Sequence, residues 1–267
     1  VRWPSTEAPF TAYLLVDPLG ALLAAVAFGL AALVALYSMR YMPKRDIGKF
    51  YALLLLMTTG MVGLGFAGDL FSLFVLFEVM SIASFVLVAF EREHWEPVEA
   101  GVKYLVISTA GSLMALLGIA MVYTYTNSLD LTRIPALLVE RAGTAELMAI
   151  TALLVVGFGV KAALVPMHTW LPDAHSAAPT GISAMLSGIV IEAGLIAMLK
   201  SLIAVRADEI GGLLFPLLAL VTMFVGNLVA LRQSDLKRLL AYSSVAQMGY
   251  IFMGVGFALG YPVAAGF

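Results

Sequence analysis

Four ionisable residues lie inside long apolar segments of this sequence: Glu78, Lys103, Lys161 and Glu192. A charged side chain at the centre of a bilayer costs at least about 2.5–3.5 kcal/mol on insertion scales, so such a residue needs a partner or a function. Carboxyl and amino groups in this setting can load and release protons or interact with ions. Their positions therefore indicate ion chemistry inside a membrane.

Glu78 and Lys161 have the most demanding positions. Glu78 follows Leu70 by eight residues in an unbroken apolar run, which places it about 12 Å into an apolar core about 30 Å thick. Lys161 precedes Pro166, and a proline leaves the carbonyl of Ala162 without its helical partner. Broken backbone at membrane depth is tolerated only inside protein or beside a water-filled cavity. A hydrogen-bonded neutral carboxyl and a structural lysine are the alternatives to a working ion pair.

The remaining candidates have weaker positions. Lys103 lies near the start of its helix after Glu99, where its side chain can extend to the interface. Glu192 lies some twelve residues inside its helix, and position alone fits a structural carboxyl and a relay member equally. His168 and His175 flank a Pro172 break, and because histidine titrates near neutral pH a gating or relay role is open. A metal site would need more ligands, so we expect none.

The composition points to a membrane protein. The chain has 267 residues, of which 62% are hydrophobic and 12% charged, against about half and about a quarter in soluble domains. The mean hydropathy is +1.00. The absence of cysteine excludes disulfides, cysteine-ligated metal and a cysteine nucleophile. A net charge of −2 gives no reason to expect nucleic acid.

Hydropathy and helix breakers predict an all-α, polytopic transmembrane bundle of about eight spanning helices, one of them broken by proline. The segment 130–141 is too short to span and is expected to lie along the interface. Trp95 and Trp170 fall at predicted membrane borders. The predicted spans are residues 13–41, 50–68, 70–90, 100–125, 146–166 (interrupted at Pro166), 180–201, 210–231 and 236–260.

Basic residues predict the orientation of the bundle. Eight of them lie on the face that carries the loops around Pro43 and Ser234, and five lie on the face of the N-terminus. Because cytoplasmic loops are enriched in lysine and arginine, both loops are expected in the cytoplasm.

Three motifs carry a resemblance to a known family. The stretch KAALVPMHTWLPDAHSAAPTGISAML is similar to the signature of the proton-conducting antiporter-like membrane subunits, which include the large membrane subunits of complex I, the Mrp antiporters, and membrane-bound hydrogenases with related archaeal complexes. FVLFEVMSIASFVLVAF resembles the glutamate helix of that family, and LRQSDLKRLLAYSSVAQMGYI resembles the opening of its second repeat. The resemblance covers residues 16–260.

The resemblance implies an inverted-repeat fold with the second repeat truncated. Residues 1–49 would form an N-terminal segment with the first span, 50–201 a complete five-helix repeat with an ion half-channel, and 202–267 the first two helices of the second repeat. The chain would then be either a fragment or a naturally short protein.

The resemblance also assigns roles to individual residues. Glu78 matches the glutamate that pairs with the broken-helix lysine, Lys161 matches that lysine, and Lys103 matches a lysine of the intervening helix. His168 and His175 match positions near the break in some members. Glu192 departs from the pattern, because many relatives carry lysine or histidine on that helix.

The implied function is that of a proton- or sodium-translocating subunit in the inner membrane, coupled to redox chemistry in other membrane and peripheral subunits. Such a chain would have no cofactor or redox site of its own and would be the translocase part of an NADH:quinone-type, hydrogenase or sulfur reductase complex. A non-conducting scaffold subunit and a stand-alone sodium/proton antiporter are the alternatives.

Overall fold

The computed structural model describes residues 12–42 and 46–260, and within them the side chains of 208–213 and 258–260 are not described. The loop around Pro43 thus lies outside the described residues. The α-helices are α1 (Pro18–Tyr41), α2 (Ile47–Phe66), α3 (Leu70–Val88), α4 (Trp95–Thr126), α5 (Ile134–Arg141), α6 (Thr144–Lys161), α7 (Trp170–Ala177), α8 (Thr180–Met185), α9 (Ile191–Ala204), α10 (Asp208–Ala230) and α11 (Leu236–Gly260).

Short polar residues begin several of these helices. Asp17 accepts a hydrogen bond from the Gly20 N–H at 2.6 Å and precedes Pro18, whose fixed φ suits a first helical turn. Asp69 caps α3 in the same way through the Ser72 N–H. Asn127 ends α4 in the left-handed region at φ 51°, where asparagine is tolerated better than most residues.

The all-helical, polytopic prediction is confirmed. Among the described residues, seven helical segments are long and apolar enough to cross a membrane: α1, α2, α3, α4, α6, the continuous helix Thr180–Ala204, and α11 up to Phe257. The seventh predicted span, residues 210–231, corresponds to α10, whose described part, Leu214–Ala230, is a shorter apolar helix. The segment predicted at the interface contains α5, which buries Ile134 and Leu138.

Two segments form the centre of the bundle. In the helix Thr180–Ala204, 67% of the residues of the apolar segment are buried inside the protein, and in α6 56% are, against 33–44% in the other spans. Small residues permit close approach around them. A Cβ on Gly157 of α6 would lie 2.5 Å from the backbone nitrogen of Ala115 on α4, as expected for helices that associate through small side chains.

The broken helix ends earlier than the sequence predicted. The prediction placed the interruption at Pro166, but α6 ends at Lys161 and Ala163 adopts a positive φ of 54°. A proline disfavours helical backbone in the residue before it, and here the non-helical stretch extends back to Ala162. A cis Val165–Pro166 bond and a 3₁₀ turn at Met167–Thr169 then lead into α7.

A π-helical turn at Leu186–Val190 joins α8 to α9 and was not predicted. Its extra residue per turn rotates the helix immediately before Glu192. Such turns occur frequently at functional sites.

Candidate ion-translocation site

Lys161 is the last residue of α6 and its side chain is fully buried. Its ammonium donates to the Tyr104 hydroxyl at 2.7 Å and to the Ser108 hydroxyl at 3.4 Å, both on α4. Since a buried charge without hydrogen bonds is very costly, these two acceptors are what make the position tenable.

A row of hydroxyl groups on α4 connects Lys161 with Glu78. Tyr104, Ser108 and Ser112 are spaced four residues apart, so they lie on one face of the helix. The Ser112 hydroxyl donates a short hydrogen bond to the Glu78 carboxylate on α3. Glu78 and Lys161 form no direct ion pair in the described part of the chain, but the carboxylate is near enough to act electrostatically on the ammonium. The row contacts the ammonium at one end and the carboxylate at the other.

Aromatic rings surround the ammonium of Lys161. Its nitrogen lies 4.4 Å from the ring centre of Tyr104 and 5.7 Å from those of Phe77 and Trp170, within the range of cation–π attraction. Trp170 stacks on Tyr104 at 4.0 Å with 5° between the planes and donates its indole N–H to the Val160 carbonyl at 2.6 Å. The Trp170 ring is buried inside the protein, because the break folds it inward, and its place at a membrane border stays a prediction.

The hydroxyl of Tyr104 also begins a directional chain of hydrogen bonds. It accepts from Lys161 and lies 2.9 Å from the Ser84 hydroxyl. Because Ser84 donates to the Ser81 carbonyl at 2.7 Å, the tyrosine is the donor to Ser84. A charge on Lys161 thus orients three successive hydroxyl and carbonyl groups on α3 and α4.

Gly194 lets α9 approach the backbone of Lys161. A Cβ at this position would lie 2.9 Å from the carbonyl carbon and Cβ of Lys161 and from the Ala162 nitrogen. Glu192 is two residues earlier, which is about 200° around the helix. Gly194 and Glu192 therefore lie on opposite faces of α9: Gly194 contacts Lys161, and Glu192 points away from it.

Glu192 lines a cavity of about 510 Å³ between the helix Thr180–Ala204 and α11, in which polar groups alternate with apolar side chains. The cavity contains a carboxyl, an imidazole, an ammonium, several hydroxyls and an amide. The groups are supplied by Glu192, His175, Lys237, Thr180, Ser183, Ser187, Ser243, Ser244 and Gln247.

Two members of this cavity have buried polar atoms that no described residue satisfies. The Glu192 Oε2 atom has no hydrogen-bond partner among the described residues, and neither ring nitrogen of His175 has one. His175 is only 4% exposed. Buried polar atoms are normally satisfied by protein or by water, and a cavity of this size with several polar groups in its lining has room for bridging water. The arrangement can therefore hold and exchange protons or small cations.

The other two predicted site residues lie elsewhere. Lys103 has a half-exposed side chain and pairs with Glu99 at 2.8 Å and Asp173 at 3.3 Å rather than with the buried groups. The His168 ring meets Tyr242 edge-on at 6.2 Å and has a buried Nδ1 atom with no partner among the described residues. The structure brings together Lys161 with Glu78, and Glu192 with His175, but does not join Lys103 to either pair.

Sequence reasoning missed the residues that surround Lys161. The four-residue spacing of Tyr104, Ser108 and Ser112 in an otherwise apolar segment is a signal that could have found the α4 row. No sequence pattern announces Trp170, because its inward position depends on the break.

Fold and site together define a polytopic membrane protein built around a discontinuous helix, the architecture in which transporters place ion sites. The chain belongs to the family described as NADH:quinone oxidoreductase/Mrp antiporter, transmembrane, whose pattern matches residues 67–265. Residues 3–51 match the family described as NADH-ubiquinone oxidoreductase (complex I), chain 5 N-terminus. The resemblance drawn from three sequence motifs is confirmed.

Similar proteins are subunits or chains of several different complexes. NADH-quinone oxidoreductase subunit N of Desulfitobacterium hafniense is 38% identical over 84% of this chain and 46% of that protein. A chain of the membrane-bound sulfane sulfur reductase, an archaeal respiratory complex, is 32% identical with a TM-score of 0.84 over 92% of this chain and 51% of its own length. A chain of the Mrp complex from Dietzia sp. DQ12-45-1b is 29% identical with a TM-score of 0.83, over 92% of this chain and 28% of its own.

The chain thus spans about half the length of the curated relatives that it matches. It is a multi-pass membrane protein of an energy-transducing family.

Proposed function

We propose that this chain forms an ion half-channel in a proton- or sodium-translocating subunit of a membrane-bound respiratory complex. Lys161 is the ion-responsive group, Glu78 is its electrostatic partner, and Glu192 and His175 bind and release ions in the separate cavity that they line. Redox chemistry in other subunits supplies the driving force.

The buried ammonium of Lys161 is the observation that carries this proposal. It ends the helix at the break, is bonded to two hydroxyls of α4, and is acted on electrostatically by Glu78, which accepts from a third hydroxyl of the same row. A buried basic group and an acidic group that act on each other have two charge states, and movement of either partner changes the relative energy of those states. Coupled ion movement requires such a pair of states.

The cavity at Glu192 supports a path toward the face of the Ser234 loop. It extends to Lys237 and His175, which lie at the ends of α11 and α7 nearest that loop. We propose that this face is cytoplasmic and that the cavity is the entrance of the half-channel. In this proposal residues 50–201 form the half-channel repeat, 1–49 precede it, and 202–267 open the second repeat.

The names of the relatives support assembly with further subunits. NADH-quinone oxidoreductase, sulfane sulfur reductase and Mrp complexes are multi-subunit membrane assemblies by their descriptions. We propose membrane and peripheral subunits of one such complex as the partners of this chain in the inner membrane.

The decisive test replaces Lys161 by methionine, which retains the apolar stem and removes the ammonium. We expect Lys161→Met to abolish ion translocation in inverted membrane vesicles containing the assembled complex, followed by a pH-sensitive dye and by ²²Na⁺ uptake. Lys49→Met is the matched control, because Lys49 is an exposed residue paired only with Asp46 in the described chain. Translocation at the parental rate in Lys161→Met would remove Lys161 from the mechanism.

A non-conducting scaffold is the second candidate, and the packing around Lys161 favours it. The Lys161 side chain is fully buried with three aromatic rings beside its ammonium, and Lys161 does not line the cavity of Glu192. Glu192→Gln preserves shape and hydrogen bonding but cannot ionise. In the ion-path proposal Glu192→Gln slows translocation by assembled complexes, whereas a scaffold would leave the rate unchanged in both the Lys161 and Glu192 variants.

A further inference from the structure

A cluster of charges surrounds α7 at the surface, one helical turn from the buried aromatic stack. Asp173 on α7 accepts from Arg238 of α11 at 2.8 Å and lies 3.3 Å from the Lys103 ammonium of α4. Lys237, beside Arg238, donates to the Ala178 carbonyl at the end of α7 at 2.8 Å. This short helix is therefore anchored to two other helices by three basic side chains.

The same helix carries Trp170 at its first position. Because residues three apart lie on neighbouring positions of a helix surface, movement of Asp173 moves Trp170 with it. Trp170 stacks on Tyr104, and Tyr104 is the nearest acceptor of the Lys161 ammonium. A continuous set of contacts thus leads from the surface charges to the buried lysine.

We propose that Asp173 is a positioning residue, which holds α7 against α4 and α11 and thereby fixes the stack of Trp170 on Tyr104 beside Lys161. This proposal rests on the function proposed above for Lys161, although its structural half can be tested without it. It also gives Lys103 a role: the lysine anchors the broken helix from the surface.

Partly exposed ion pairs contribute little to stability individually, but several charges converging on one carboxylate form a network. Asp173 is the only carboxylate shared by Lys103 and Arg238 in the described ion pairs. Loss of its charge leaves both basic side chains without this partner and frees α7 to shift, whereas loss of the neighbouring Glu99 leaves the anchor of α7 intact.

Trp170 provides a direct optical measurement. Replacing Trp3 and Trp95 by phenylalanine leaves Trp170 as the one tryptophan of this chain. Its emission maximum and its quenching by acrylamide in the assembled complex then report whether the ring stays stacked and buried. Subunits with their own tryptophans are handled by incorporating 5-fluorotryptophan into this chain and reading the single ¹⁹F resonance.

We expect Asp173→Asn to expose Trp170 to quencher and to lower translocation by about 10-fold to 100-fold, the effect of a displacement on the order of 1 Å at a geometry-dependent site. Asp173→Glu retains the charge and should restore both signals, and Glu99→Gln should leave both at parental values. If Asp173→Asn does not assemble, Arg238→Gln removes one of the two charged partners and should shift the Trp170 signal in the same direction.

The positioning role would be overturned if the Trp170 signals of Asp173→Asn stay at parental values. If Asp173→Asn does not assemble, the same result in Arg238→Gln would overturn it. Neither outcome depends on the role of Lys161. An altered Trp170 signal with unchanged translocation would equally overturn it, since the position of the Trp170–Tyr104 stack would then not matter for translocation. Failure of the proposed function is read separately, from Lys161→Met with intact Asp173.

Discussion

Gly194→Ala tests whether the contact between α9 and the broken end of α6 is as close as the structure indicates. The added methyl group would lie 2.9 Å from three atoms of Lys161 and Ala162, two of them backbone atoms. Real Cβ contacts of this length are essentially absent, so α6 and α9 must separate or Lys161 must shift. Gly29→Ala is the matched control, because Gly29 is also inside a helix but a methyl group added there would have nothing within 4 Å.

The size of the effect follows from two opposing contributions. Replacing glycine by alanine in a helix favours folding by about 0.8–1.0 kcal/mol, and this contribution is common to both variants. Forcing an extra methyl group into a packed region costs about 1–3 kcal/mol, and this contribution applies only at Gly194. We therefore expect Gly194→Ala to have a free energy of unfolding about 1–3 kcal/mol below that of Gly29→Ala.

The assay is reversible unfolding in mixed micelles, followed by far-ultraviolet circular dichroism as the denaturing detergent is increased. Translocation by the assembled complex is measured in parallel, and Gly194→Ala should lower it because the backbone of Lys161 is displaced. Equal stability of the two alanine variants would refute the close contact. Full stability loss with unchanged translocation would show that the position of Lys161 is not critical.

Two further predictions concern individual hydrogen bonds. Tyr104→Phe keeps the stack on Trp170 but removes the hydroxyl that accepts from Lys161. The free energy of unfolding should therefore fall by about 1.5–3 kcal/mol, the contribution of a hydrogen bond to a charged group. Tyr250→Phe removes an exposed hydroxyl and should change the free energy of unfolding little, so equal effects of the two substitutions would contradict the assignment. The second prediction concerns Asp17, at the start of α1. Burial raises the pKa of Asp17, but hydrogen bonds from Lys200 and the Gly20 N–H outweigh burial and hold that pKa below its ordinary value. The folded form therefore binds the proton more weakly than the unfolded form, and the stabilisation is present above the ordinary carboxyl pKa of about 3.9 and is lost as the pH falls below it. The melting temperature of Asp17→Asn, which keeps the helix cap, should depend less on pH between about 5 and 3 than that of the parent protein, and parallel pH profiles would contradict this.

The sequence by itself determined the class of fold and the charged residues of the candidate site. Long apolar segments must form hydrogen-bonded helices in lipid because no water is present to satisfy the backbone, so hydropathy alone located the spans. Glu78, Lys161 and Glu192 were found because an ionisable group in such a segment is too costly to be incidental. These inferences depend on local chemistry and need no knowledge of which helices touch.

The tertiary structure decided how those residues are connected. Tyr104 and Trp170 meet over Lys161 only because the chain turns back after α6, and the positive φ of Ala163 that permits this turn is not encoded by a glycine. The π turn that precedes Glu192 and the separation of Gly194 from Glu192 on opposite faces of α9 were likewise invisible in the sequence. Such features arise from packing between residues distant in the chain, whose combined energies set the backbone where local preferences are weak.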